Sequence, residues 1–325
     1  MIRDEEISVV IQGPVFLEDD FTKKACQSIR KVLPGAEIIF STWENEIVDG
    51  LDFDVLIRNE DPGPDEGETR NLKRQIVSTY NGVKASNRKY VLKMRSESVV
   101  CTRAFVDEFE KWPLHGEENH FLQERLVVVN TKPSRVRMDM FHIIDWYFFG
   151  LKEDVLKFWN IDYLNNTHIL LEKNQIGYNE HRFLFTQFVR QFTSLQYETM
   201  NDANHNMAKF HNNVVVENFI IMGTVEAYGV QSLKYRPLPK GVDSYMRGVY
   251  RGYTKREWMK LYNKYCAGKV KVPVCIYEWF AMYVLAPPYI LFKHEGGWRT
   301  LKTRIVRRLY PWYRKTPLYN IKKKL

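Results

Sequence analysis

Apolar positions in this chain come in short β-branched runs separated by stretches with helical spacing. Ile7 to Ile11 is the first run, and it stops at Gln12-Gly13-Pro14. Residues from about Asp19 to Val32 then predict a helix, closed by Pro34-Gly35. Glu37 to Ser41 predicts a second strand leading into Ser41-Thr42-Trp43-Glu44. Asp54 to Ile57 predicts a third, running into the turn-rich Asn59-Glu60-Asp61-Pro62-Gly63-Pro64. Asn71 to Ala85 predicts another helix, and Lys89 to Met94 a fourth strand that ends at Arg95-Ser96-Glu97-Ser98. Strands alternating with helices at this spacing predict an α/β fold: a mostly parallel, Rossmann-like sheet flanked by helices, with its ligand crevice at the carboxyl ends of the strands. Farther on, Leu126 to Val129 reads as a strand, and Glu153–Trp159 and Glu180–Phe192 read as helices. The signal weakens after His205. The chain therefore divides into a core over 1–205, a remainder or accessory segment over 206–271, and a C-terminal region over 272–325.

The last region changes the picture most. Val272 to Phe292 is strongly apolar, yet Glu278 and Pro287-Pro288 interrupt it, which argues against a plain membrane-spanning helix of about twenty residues. From Trp298 to Leu325 there are ten Lys or Arg and no Asp or Glu, set among Trp298, Tyr310, Trp312, Tyr313 and Tyr319. Those ten charges exceed the +9 net charge of all 325 residues, so residues 1–297 are close to neutral. A basic, aromatic tail suits an anionic membrane surface at least as well as a nucleic acid, and a peripheral, membrane-associating helical extension is expected. The N-terminus lacks the basic flank and long apolar stretch of a secretory signal, and the four cysteines have no C-x-x-C spacing. A cytoplasmic protein on the inner face of a membrane is the resulting expectation.

With 45% apolar residues the chain can bury one large core. No internal repeat, G-x-G-x-x-G or P-loop is present, which disfavours a dinucleotide or ATP site of those types.

An ordered set of short strings remains. Ile11-Gln12-Gly13-Pro14, Ser41-Thr42-Trp43-Glu44, Asp61-Pro62-Gly63, Arg74 to Thr79, Lys93-Met94-Arg95-Ser96 and Asp145-Trp146 through Gly150 together resemble the WavE lipopolysaccharide-synthesis family over roughly residues 7 to 190. That resemblance implies a GT-A-like glycosyltransferase acting on a surface glycan, lipopolysaccharide core or capsule, with a nucleotide-sugar as donor.

On that implication, Gln12, Gly13 and Pro14 lie beside the nucleoside, Gly13 allowing close backbone approach; a simple strand-to-helix turn explains them equally well. Ser41, Thr42 and Glu44 hold the base or ribose, or else form a helix capping box, while Trp43 reads as core. Arg74 pairs with the pyrophosphate, fixes a neighbouring acidic loop, or lies on a solvated helix face; Lys73 reads as surface.

The loop Arg95-Ser96-Glu97 stands where such enzymes carry Asp-x-Asp around a divalent cation, manganese or magnesium. Here Glu97 is its one carboxylate, a conservative departure from the family's usual Asp. Glu97 then contacts the metal, or Arg95 neutralises the diphosphate without one. Asp145 orients acceptor hydroxyls and Trp146 stacks on a sugar ring. Glu180, at the start of a late helix, is the candidate base of an inverting transfer, against a plain preference of Glu for helix N-termini. His181, His205 and His211 read as ordinary polar residues.

Three other classes compete. A nucleotidyltransferase shares such a sheet but needs a basic, Gly-rich loop after the first strand, where this chain has Gln-Gly-Pro-Val. A nucleic-acid-binding protein would rely on the basic tail alone, and no nucleic acid is expected. A non-catalytic scaffold of a glycan-assembly complex is the third.

Overall fold

The computed structural model describes residues 1–63, 71–129, 140–162, 180–197, 202, 204–223, 225–233, 253–273 and 276. A seven-stranded sheet organises them. Its strands are β1 (Ile7–Gln12), β2 (Glu37–Trp43), β3 (Val55–Asn59), β4 (Tyr90–Arg95), β6 (Leu126–Val128), β7 (Phe148–Leu151) and β8 (Phe219–Ile221), in the order β3-β2-β1-β4-β7-β6-β8. All neighbouring pairs are parallel except the two made by β7. A two-stranded ribbon joins β5 (Ser98–Val100) to β9 (Val230–Ser232).

The first half of the sheet follows from its residues. Every position of β1 is buried, as for a central strand covered on both faces, and its β-branched run suits that burial. Helix α1 (Phe21–Val32) turns Phe21, Ala25, Cys26 and Ile29 inward at helical spacing. It begins later than Asp19 because Asp19 and Asp20 are left-handed, with φ of 49° and 55°. Helix α2 (Leu72–Ala85) crosses β1 and β2 at Gly82, where a Cβ would lie 2.5 Å from Val10 Cγ1 and 2.9 Å from Ser41 Cβ. Only glycine lets that helix sit so close to the sheet.

The second half departs from a uniformly parallel reading. β7 enters antiparallel between β4 and β6, and α4 (Lys152–Trp159) leaves directly from its end. Its Phe148-Phe149 pair is buried whichever way the strand runs, so apolar pattern alone does not encode its direction. Helix α5 (Glu180–Arg190) buries Phe183, Leu184, Phe185 and Phe188, and it follows the short α3 (Ala104–Phe109) and α4 in chain order.

Beyond His205 the chain still serves this sheet. Helix α6 (His205–Asn218), capped by Asn204, leads straight into β8, so residues 205–221 build the same sheet as β1. A short α7 (Val225–Tyr228) precedes β9, and α8 (Lys255–Tyr265), opened by a Thr254/Glu257 capping box, docks Trp258 on Phe219 through a 2.7 Å hydrogen bond from Nε1 to the carbonyl. Most of the apolar and basic-aromatic region over 272–325 lies outside the described residues. Among the described residues no helix is long and apolar enough to cross a membrane.

Candidate active site

Parallel strands bring their carboxyl ends to one side of a sheet, and here Gln12, the last residue of β1, pairs in register with Ser41 of β2 and with Arg95, the last residue of β4. A cavity of about 660 Å³ opens beyond these ends. That volume suits a ligand of nucleotide size. Gln12, Gly13, Pro14, Arg74, Arg95, Ser96, Glu97, Asp145, Trp146 and Glu180 all line it, so ten of the residues singled out from sequence share one space.

The floor is a backbone turn locked by hydrogen bonds. Gly13 has φ +118°, and its N–H donates to Ser41 O at 3.1 Å while Ser96 N–H donates to Gln12 O at 3.0 Å. Ser96 Oγ donates to Pro14 O at 2.6 Å, and a Cβ on Gly13 would stand 3.1 Å from that hydroxyl. Gln12 is held from below by Ser78, whose hydroxyl donates to Oε1 at 2.9 Å. Close backbone approach at Gly13 is thus a property of the turn itself.

Charge is concentrated on the β4 side. Arg95 Nε lies 2.6 Å from Glu97 Oε1, and the Glu97 side chain is only 2% exposed. Arg74, on the first turn of α2, pairs with Asp61 at 2.5 Å and also donates to Asn71 at 3.0 Å; it fixes the loop after β3. The pairing with Arg74 holds the Asp61 carboxyl below its usual range.

Asp145 lies beside the end of β4, next to Lys93 and Arg95. Burial would raise its carboxyl, but His181, Lys93 and Arg95 outweigh that and hold it well below the usual carboxylate range. Lys93, fully buried on β4, donates to the carbonyl of Asp145 and lies 4.7 Å from the Trp159 ring. Burial pushes its ammonium down to about 7, against the pull of Asp145 and Glu97. His181 Nδ1 sits 3.3 Å from Asp145 Oδ1 and its Nε2 3.7 Å from Glu180 Oε1.

Three expected residues lie elsewhere. Ser41 and Thr42 are buried inside β2, which runs on to Trp43 because Trp43 pairs with Asn59 of β3; they are neither cavity residues nor a helix cap. Ser41 Oγ accepts from Asn59 Nδ2 at 3.0 Å instead. Glu44 is exposed on the turn that follows, outside the cavity lining, whereas Glu46 lines the cavity and its carboxylate accepts from Val15 N–H at 3.1 Å. Trp43, expected as core, lines the cavity half-buried, as do Phe16 and Gln75, with the exposed Asn71 beside them.

A family model for WavE lipopolysaccharide synthesis matches residues 7–286. The chain belongs to the WavE family. None of the curated proteins matches it. Among solved structures, it is similar to one described as 4-diphosphocytidyl-2C-methyl-D-erythritol synthase from Anaerococcus prevotii DSM 20548, at 13% identity and a TM-score of 0.32, over 64% of this chain and 97% of that one.

Glu97 is held by Arg95, Asp61 by Arg74, and among the described residues no group of three or more His, Cys, Asp or Glu converges as metal ligands. Two features escaped sequence reading. Lys93 looks like an alternating strand residue, and nothing local shows that its ammonium turns inward. His181 follows Glu180 in the chain, and its position between two carboxylates is visible only once α5 docks beside the turn at Asp145.

Proposed function

We propose that this WavE protein is a GT-A-type glycosyltransferase that moves a sugar from a nucleotide-sugar to a lipopolysaccharide-core or capsule acceptor. The observation that carries the reading is the cavity at the ends of β1, β2 and β4, lined by the guanidinium groups of Arg74 and Arg95 and by the carboxylates of Asp145 and Glu180. The strand order, parallel but for β7, suits such an enzyme. The backbone at Gly13 and the face of Trp43 receive the nucleoside, Glu46 stands where a ribose hydroxyl would donate, and Arg95 and Arg74 face the diphosphate.

Trp146 offers its ring to the acceptor sugar, and Glu180 takes the proton of the attacking hydroxyl as that oxygen bonds to the anomeric carbon. Attack on the face of that carbon opposite the leaving group gives inversion. Because Glu97 is already paired with Arg95, the diphosphate's charge is met by guanidinium groups, and no step is routed through manganese or magnesium. A lipid-linked acceptor, together with the basic aromatic tail over Trp298–Leu325, supports work at the inner face of a membrane, the tail resting on anionic lipid.

Incubating the purified protein with a panel of nucleotide-sugars and lipopolysaccharide-core acceptors tests this. Release of nucleoside diphosphate that depends on the acceptor, with a product heavier by one sugar, is expected. Release of pyrophosphate from a nucleoside triphosphate and a sugar phosphate would favour nucleotidyl transfer instead.

A further inference from the structure

Two carboxylates and one imidazole meet on the lining of the cavity. His181 is the one histidine among the described lining residues of the cavity. Its ring bridges the others: Nδ1 is 3.3 Å from Asp145 Oδ1, and Nε2 is 3.7 Å from Glu180 Oε1. The His142 ring packs 4.8 Å from it, at 51°. Asp145 is buried, with Lys93 donating to its backbone carbonyl and the Lys93 ammonium close by, so it remains a carboxylate. An ionised carboxylate only accepts hydrogen bonds, so the proton on the imidazole belongs on Nδ1, and Nε2 is the nitrogen turned towards Glu180.

Resting on the glycosyl-transfer reading above, we propose that Asp145, His181 and Glu180 form a proton relay in which Glu180 takes the acceptor's proton and passes it to His181 Nε2. Asp145 is then a positioning residue for His181, in place of the acceptor-binding role expected from sequence. The step balances. The acceptor O–H bond breaks, and its oxygen bonds to the anomeric carbon. The bond from that carbon to the diphosphate oxygen breaks, and its electron pair leaves with the nucleoside diphosphate. The proton passes through Glu180 to the imidazole and is lost to solvent after product departs.

The direction of transfer is set by Asp145: a proton placed on the imidazole is stabilised by the buried carboxylate against its Nδ1, so it moves from Glu180 to Nε2. The 3.7 Å gap is longer than a hydrogen bond, so a small approach on acceptor binding, or one bridging water, completes the path. The imidazolium so formed lies against Asp145, which stabilises it as a buried carboxylate does in other Asp–His pairs.

The test is His181→Ala, with His181→Gln as the conservative partner should the alanine variant fail to fold. Steady-state transfer and nucleotide binding are measured together, with and without added imidazole. The relay predicts a fall in kcat of about a hundredfold or more, unchanged KM for donor, an unchanged nucleotide-induced rise in Tm, and partial recovery of the alanine variant in imidazole. A variant that transfers within threefold of wild type, or that loses nucleotide binding in step with activity and gains nothing from imidazole, overturns the relay while leaving glycosyl transfer standing. A wild-type protein that transfers no sugar from any donor overturns both.

Discussion

Arg95 and Glu97, two residues apart at the end of β4, close on each other at 2.6 Å with the carboxylate almost wholly buried. Of the two roles open to this loop, contact with a cation through Glu97 or neutralisation of a diphosphate by Arg95, the pair favours the second, since it braces the guanidinium beside the cavity. Arg95→Ala leaves a buried carboxylate without its closest cation. A fully buried pair broken this way costs about 3–5 kcal/mol, and the partial exposure of Arg95 reduces that to about 1–3 kcal/mol. Urea denaturation reads the loss, and nucleotide affinity should fall at least tenfold.

Glu97→Gln separates bracing from metal binding. With Glu97 engaged by Arg95, the rise in Tm produced by a nucleoside diphosphate should persist in excess chelator for the wild-type protein. A rise seen only with manganese, and abolished in the Gln variant, would make Glu97 the cation's contact after all.

Gly13→Ala puts a Cβ into a left-handed backbone position and 3.1 Å from Ser96 Oγ. We expect a loss of roughly 1–3 kcal/mol in stability. The variant should also bind nucleotide more weakly than Gly82→Ala binds it, because Gly82 is a packing contact beneath the sheet.

Lys93 makes a prediction about pH. Its ammonium is pushed down to about 7 in the folded protein and stands near 10.5 when unfolded, so between those values the unfolded chain binds more protons. Stability from this group therefore rises with pH above about 7, by roughly 1 kcal/mol per unit at most. Below 7 the cost of burying the charge is fully present. Lys93→Met should flatten the rise in denaturation free energy between pH 7 and 9; an unchanged slope would contradict the buried ammonium.

Most strands of the first half of the sheet are legible in the amino-acid sequence. Ile7–Ile11 and Glu37–Ser41 announce strands by their β-branched residues and Lys89–Met94 by its apolar run, and Gly13, Ser96 and Glu97 follow from where such strands end. What escaped is set by tertiary docking. Glu46 rather than Glu44 lines the cavity because the turn after Trp43 swings the chain back to Val15, and spacing does not say which glutamate returns. The direction of β7 and the inward turn of Lys93 depend on neighbours far away in sequence. The capping box suggested by Ser41 and Glu44 gave way to strand pairing with β3, since tertiary hydrogen bonds outweigh a local cap.

The central claim, a nucleotide-sugar site at the ends of β1, β2 and β4, is tested most directly by calorimetric titration of wild type and Arg95→Ala with UDP, GDP, CMP and TDP. The account predicts saturable one-to-one binding of one of these nucleotides by wild type, weakened at least tenfold in the variant. Absence of binding for all four, or binding that Arg95→Ala leaves untouched, would contradict it.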